Sequence, residues 1–216
     1  MIPSSKPPKV SRHVTVISLL LIVAFLLALL YNLLYESVEE AAHPIKYHDY
    51  VEKYAAMYEI PEEIILAVIY CESGFDASAV SHAGAVGLMQ LMPDTYKWLC
   101  SKTGERYDAL HLYNPETNIK YGTYLLSILF HRYEQWDVAF AAYNAGMGNV
   151  DSWLEDSKYA DEFGTLKYIP FEETRNFVSR VNSKREIYRR ICNELHESIA
   201  AESTVHHKTK STQDIT

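Results

Sequence analysis

Residues 14–34, VTVISLLLIVAFLLALLYNLL, contain no charged side chain. At about 1.5 Å per residue, a helix of that length reaches roughly 30 Å, the thickness of a bilayer core. This commits the first part of the chain to a membrane-spanning helix. Lys6, Lys9 and Arg12 precede the run, and Glu36, Glu39 and Glu40 follow it. The positive-inside rule then keeps the N-terminus in the cytoplasm and exports the rest. A cleaved signal peptide would have a shorter apolar region, about 7–15 residues, ending in a small-residue site. No A-x-A pattern follows here, and the first Cys, where a lipid would attach, is Cys71. The expectation is an uncleaved, single-pass anchor in the cell membrane with the remaining chain on the extracytoplasmic side.

The 216 residues divide by composition into a basic tail (1–13), the transmembrane anchor (14–34), an acidic linker (35–47), a soluble domain (48–197) and a polar, disordered tail (198–216). Hydrophobic residues make up 48% of the chain, enough for a core. A net charge of −8 argues against nucleic acid as a partner, since that needs a basic face. The cysteines Cys71, Cys100 and Cys192 lack metal-type spacing.

Within 48–197 the patterns are mainly helical. Tyr50, Tyr54 and Met57 recur at helix spacing. Pro61 opens a helix with Glu62 and Glu63 in its first turn, and Gly74 ends it. Residues 75–92, with Gly84 and Gly87, lack a helical period and read as a small irregular or hairpin segment. Pro93 and Asp94 restart a helix through Trp98, and Asn114-Pro115 reads as an N-cap and first helical residue. Helices follow near 137–143 and 150–154, and from Glu172 toward Cys192. The fold class is mainly α.

One carboxyl group stands out. Ile65, Val68 and Ile69 precede Glu72 by seven, four and three positions, which puts them on its helix face. A carboxyl group at the end of a buried stripe loses water, and desolvation raises its pKa. Such an acid can protonate a glycosidic oxygen; a Glu facing solvent at a helix end could not. Ser73, Gln90, Tyr143 and Asn144 supply donors, acceptors and an aromatic face that suit a sugar. Met89 is either a wall of the sugar pocket or core filler. Asp76, four residues beyond Glu72, reads as a turn residue rather than a second carboxylate, because Gly74 interrupts the helix.

These residues fall into ordered motifs. Glu72-Ser73 follows an apolar helix, then come Gly87-Leu88-Met89-Gln90 with Pro93 and Thr95, then Ala142-Tyr143-Asn144-Ala145-Gly146, then PFEETRNFV at 170–178. In this the chain resembles the lytic transglycosylases of the soluble-lytic-transglycosylase-like (SLT) family, over nearly the whole soluble domain. The resemblance implies a goose-lysozyme-like helical fold with a long groove. It also implies cleavage of the β-1,4 bond between N-acetylmuramic acid and N-acetylglucosamine in peptidoglycan. On that match Glu72 is the catalytic acid/base, Ser73, Met89, Gln90, Tyr143 and Asn144 line the substrate site, and Glu173 is a supporting polar residue. Phe177 departs from the family, which commonly has Tyr there.

With one carboxyl group nominated, the substrate must provide the nucleophile. Glu72 protonates the leaving oxygen, then takes a proton from the muramic C6 hydroxyl, which closes on C1 to give a 1,6-anhydro end. No metal or organic cofactor is needed. The expected partners are glycan strands, the membrane and other components of the cell envelope. The alternatives are a muramidase that cuts the same bond with water and a wall-binding protein without turnover.

Overall fold

A computed structural model describes residues 12–213 of the chain. The basic tail, apart from Arg12 and His13, lies outside the described residues. The chain divides into two compact units, Met1–Pro44 and Ile45–Thr216.

In the first unit, helix α1 (Arg12–Ala42) is a single element. It continues through most of the stretch read as a linker. Its described side chains between 16 and 32 are exposed on every side, among them Leu20, Phe25 and Leu30. Among the described residues no helix is long and apolar enough to cross a membrane.

The second unit is mainly α-helical. It contains α2 (His48–Tyr58), α3 (Glu62–Ser73), α4 (Pro93–Thr103), a short 3-10 helix (Ala109–Tyr113), α5 (Pro115–Tyr133), α6 (Trp136–Ala145), α7 (Met147–Glu155) and α8 (Glu172–Gln213). Among the described residues, β pairing is confined to isolated antiparallel bridges: Val80 with Val86, Val86 with Leu91, and Ala160 with Leu166.

Helix α3 is the axis of this unit. Residues 64–69 are all fully buried, so the helix is enclosed on every side rather than along one stripe. That accounts for its unbroken apolar run. Glu62 and Glu63 sit in its first turn, where the helix dipole favours negative charge. Gly74 ends it with φ +59°, donating its N–H to the Tyr70 carbonyl at 3.1 Å. Helix α8 packs along α3 and α6 through Phe177, Val178, Val181, Tyr188 and Cys192, all buried at helical spacing. It continues to Gln213, through the stretch expected to be a disordered tail. Beyond Cys192 its sequence is polar, and a helix without an apolar stripe gives no periodic signal. Helix α5 begins as the Asn114-Pro115 pair predicts: the Asn114 side chain accepts from the Thr117 N–H at 2.9 Å.

The small residues of α6, Ala139, Ala141 and Ala142, are buried where α5 and α8 pack against it. Close approach of these helices brings the C-terminal ends of α3 and α6 and the first turns of α8 to one place.

Candidate active site

Glu72 occupies the last turn of α3 and is half-buried. Burial pushes its pKa up to about 8. The Arg180 guanidinium opposes that rise and the Glu173 carboxylate adds to it. Glu72 is therefore mostly protonated at neutral pH, with a cation near enough to support the charged form once the proton has left. Cys71 beside it is a different case. Burial pushes its thiol to about 11, so it stays protonated and serves packing.

Segment 75–92 is held in shape by polar contacts from three directions. The Val86 and Leu91 backbones exchange hydrogen bonds of 3.0 and 3.1 Å. Asn118 of α5, 1% exposed, accepts from the Met89 N–H at 2.7 Å and donates to the Val86 and Leu112 carbonyls at 2.9 and 2.8 Å. Gly87 is indispensable to that contact. Its φ is +80°, and a Cβ there would lie 2.3 Å from Asn118 Nδ2 and 2.5 Å from the Leu112 oxygen.

Several nominated residues prove to be parts of this scaffold. Ser73 Oγ points its hydrogen-bonding capacity at the Leu88 carbonyl (2.8 Å) and the Ile69 carbonyl (3.3 Å), tying the end of α3 to the segment. The Met89 side chain, expected as a sugar-pocket wall, is 0% exposed and packs on Gly122 of α5, where it meets no solvent-facing surface. Its neighbours on α5 are distant in sequence, so the motif alone does not reveal which way it faces. Gln90, with φ +47°, donates through Nε2 to the Ala79 and Gly87 carbonyls at 3.1 and 2.9 Å. Its Oε1 remains the acceptor end of the amide.

Tyr143 and Asn144, at the end of α6, complete the arrangement. Tyr143 Oη donates to the Met89 carbonyl at 2.6 Å. Its pKa is raised by burial, then by the neighbouring Glu72 charge, which brings this hydroxyl into the acid's field. Its ring stacks with Phe177, centroids 6.4 Å apart and planes within 9°. Phe177 is buried, so the position that differs from the family pattern acts through its ring. Asn144 Oδ1 accepts from Thr174 Oγ1 at 2.7 Å, which leaves the amide N–H groups as donors. Thr174 is 2% exposed, so this partner is fixed.

Three concavities border the residues around Tyr143, Asn144 and Glu173. One of 690 Å³ is lined by Glu172, Glu173, Asn176, Ser179 and Arg180. A second, of 520 Å³, shares Glu172 and Glu173 with it and adds Asn144, Pro170 and Phe171. A third, of 390 Å³, is lined by Trp98, Tyr143 and Met147 among others. Glu72 is not among their lining residues; the charges of Glu173 and Arg180, which line the first, reach it. Arg175 pins the segment before α8 by donating to the Tyr168 hydroxyl and to the Ile169 and Pro170 carbonyls, at 2.6 to 3.1 Å. Asp76, in contrast, caps a turn: its Oδ1 accepts from the Ser78 N–H and hydroxyl at 2.8 and 2.6 Å, which lowers its pKa.

Sequence reasoning missed Arg180, Asn118 and Thr174. Arg180 stands seven residues after Glu173, on the same face of α8, and that spacing was the available signal. Nothing in the local sequence marks Asn118, and Thr174 lies within the PFEETRNFV motif at 170–178 without being singled out by it.

Comparison with known proteins gives the family of the chain. The soluble lytic murein transglycosylase of Escherichia coli K12 is 35% identical over 161 residues, which cover 72% of this chain and 25% of that protein. The membrane-bound lytic murein transglycosylase C of Yersinia pestis (strain Pestoides F) is 34% identical over 178 residues, covering 71% of this chain and 49% of that protein. Among solved structures, the 70 kDa soluble lytic transglycosylase of Escherichia coli superposes with a TM-score of 0.64 at 33% identity, covering 69% of this chain and 25% of that one. An inactive mutant of the lytic transglycosylase Slt from Pseudomonas aeruginosa gives 0.63 at 35% identity, covering 70% and 25%. The chain thus spans between a quarter and a half of the length of these relatives. Residues 49–164 match the Transglycosylase SLT domain family, more than half of the chain, and the chain belongs to that family.

Proposed function

We propose that the chain is a peptidoglycan lytic transglycosylase. It cleaves the β-1,4 bond between N-acetylmuramic acid and N-acetylglucosamine and leaves 1,6-anhydromuramic ends. The observation that carries this reading is Glu72, a carboxyl group whose pKa burial pushes up to about 8, in the field of Glu173 and Arg180, which line a polar concavity.

The steps follow from its surroundings. Glu72 donates its proton to the glycosidic oxygen as the C1–O bond breaks, and the N-acetylglucosamine hydroxyl departs. The new carboxylate is supported by Arg180, the cation that already favours its charged form. The carboxylate then removes the proton of the muramic C6 hydroxyl, and that oxygen bonds to C1. Glu72 ends protonated and no water is consumed. Because the nucleophile is tethered to the same ring, holding the ring correctly supplies much of the rate. The Asn144 N–H groups and Gln90 Oε1 suit the carbonyl and N–H of an acetamido group, and Glu173 accepts from sugar hydroxyls. Ser73, Met89 and Tyr143 set the position of the segment that bears Gln90. General acid–base catalysis is worth about 10²–10⁴ in rate. Glu72→Gln should therefore clear suspensions of purified peptidoglycan at least about a hundredfold more slowly. A variant as fast as the parent would remove Glu72 from its role.

The reading includes a single-pass anchor at residues 14–34 with the catalytic unit outside the cytoplasm. It is supported by the charge-free run, by basic residues before it and acidic residues after it, and by the exposed apolar side chains of α1. Such a tether confines cutting to glycan strands near the membrane, where other envelope proteins are within reach. Membrane fractions washed at alkaline pH should retain the full chain and release a version lacking residues 1–40. Release of the full chain would contradict the anchor.

A further inference from the structure

The opposite end of α3 carries a second cluster of ligating groups. Glu62 and Glu72 are ten residues apart on one straight helix, about 15 Å at 1.5 Å per residue, so the cluster is separate from the candidate active site. Glu62 Oε2 lies 3.4 Å from His48 Nε2, at the start of α2, and 3.5 Å from His196 Nε2, on α8. The three ligand atoms all lie within 4.8 Å of one another. His48 Nε2 and Glu62 Oε2 are sealed from solvent and neither has a hydrogen-bond partner. Two unsatisfied polar atoms that face each other inside a fold are unusual, because each has lost its water without replacement.

We propose that His48, Glu62 and His196 form a binding site for a divalent transition metal, zinc foremost, that joins α2, α3 and α8. The spacing is the main argument. Separations of 3.4 and 3.5 Å are long for charge-assisted hydrogen bonds, which are about 2.7–2.9 Å. They match the edge of a tetrahedral site, where metal–ligand bonds of about 2.0–2.2 Å put neighbouring ligand atoms about 3.3–3.6 Å apart. Two imidazoles and one carboxylate suit zinc and disfavour calcium or magnesium, which take oxygen ligands. His196 is 52% exposed, which gives the ion a way in and leaves the fourth position to water. The ligands come from the two ends of the catalytic unit's chain, at 48 and 196. The ion would therefore clamp the far part of α8 onto the starts of α2 and α3, stabilising the fold without entering the chemistry at Glu72.

The test uses the full chain in detergent, free of any affinity tag and stripped of metal by chelation. Titration with zinc chloride, followed by dialysis and elemental analysis, should leave one zinc per chain and raise the melting temperature by several degrees; magnesium chloride should do neither. His48→Ala and His196→Ala should each weaken zinc binding by more than about tenfold, because even outer-shell partners of metal sites carry that much. Changing both His206 and His207 to Ala in the C-terminal stretch should leave binding intact. Circular dichroism of the metal-free variants checks their folding. If they fail to fold, Co²⁺ added to the parent provides the second measurement, since a tetrahedral site gives intense visible absorption that zinc abolishes. Failure of the parent to retain zinc would overturn the proposal. So would zinc binding that survives both single variants, or that is lost with His206 and His207, or a Co²⁺ spectrum without tetrahedral bands.

Discussion

Replacing Glu72 with Gln should stabilise the protein while disabling it, and the gain should depend on pH in a defined way. The carboxyl's pKa is raised from 4.5 to about 8 in the folded state, chiefly by burial. In the unfolded chain it ionises near its ordinary value, so between those limits the folded state binds more protons than the unfolded one. Stability therefore falls as pH rises through that window. The group's favourable contribution is complete below about pH 4.5, declines toward pH 8 and is gone above it. At about 1.4 kcal/mol per pH unit, the shift corresponds to a ceiling of about 5 kcal/mol. The half-exposed carboxyl retains part of its hydration and has Arg180 nearby, so about 2 kcal/mol is the realistic size. Gln has nearly the same shape and does not titrate. The melting temperatures of parent and Glu72→Gln should be close at pH 4.5, and the variant should lead by about 5 °C at pH 9, using about 2–4 °C per kcal/mol for a chain of this size. Thermal melts at intervals between these pH values would measure it. A gap that stays constant with pH, or that favours the parent at pH 9, would refute the claim that this carboxyl is held un-ionised by its surroundings.

The neighbouring charges give a pair of opposite predictions. Arg180→Ala removes the cation that lowers the Glu72 pKa, so the alkaline limb of the pH–rate profile should move up and the maximum rate should fall; Glu173→Gln should move the limb down. Movement in the same direction for both would contradict the electrostatic assignment. Thr174→Val removes the partner that orients Asn144, at a cost of about 1 kcal/mol in transition-state stabilisation. That is about a fivefold loss in kcat/KM with little change in melting temperature, and an unchanged kcat/KM would show that Asn144 does not need this contact. Gly87→Ala should destabilise the fold by about 3 kcal/mol in denaturant titrations, combining strain at positive φ with a Cβ that overlaps Asn118. A loss below about 1 kcal/mol would mean that the segment adjusts freely.

What could be read in the sequence was what local chemistry encodes. Pro61, the paired glutamates and Gly74 bound α3 as surely as its apolar run fills it, and Asn114-Pro115 marks the start of α5. Glu72 was singled out by the ordered motifs; its apolar neighbours at three, four and seven positions alone left a solvent-facing Glu open. Roles set by distant partners were not legible. Met89 reads equally as a pocket wall or a core residue until Gly122, 33 positions later, is seen to receive it. Ser73 and Gln90 look like sugar ligands, yet both spend hydrogen-bonding capacity on backbone carbonyls of the segment between α3 and α4. Arg180 affects Glu72 from more than 100 residues away, and its spacing of seven from Glu173 marks a shared face of α8, not a partner on α3. Of the residues that recur at helix spacing in α2, Tyr54 is buried but Met57 is 56% exposed, and Val51 and Ala55 complete the buried face. A period of 3.6 leaves a one-residue ambiguity that packing resolves.

The most direct test of the account is mass spectrometry of the fragments that the full chain releases from purified peptidoglycan. The account predicts muramic ends in the 1,6-anhydro form, lighter by one water than reducing ends, present with the parent and absent with Glu72→Gln. Reducing ends that incorporate ¹⁸O from labelled water would instead show that water is the nucleophile, and the one-carboxylate mechanism would be wrong.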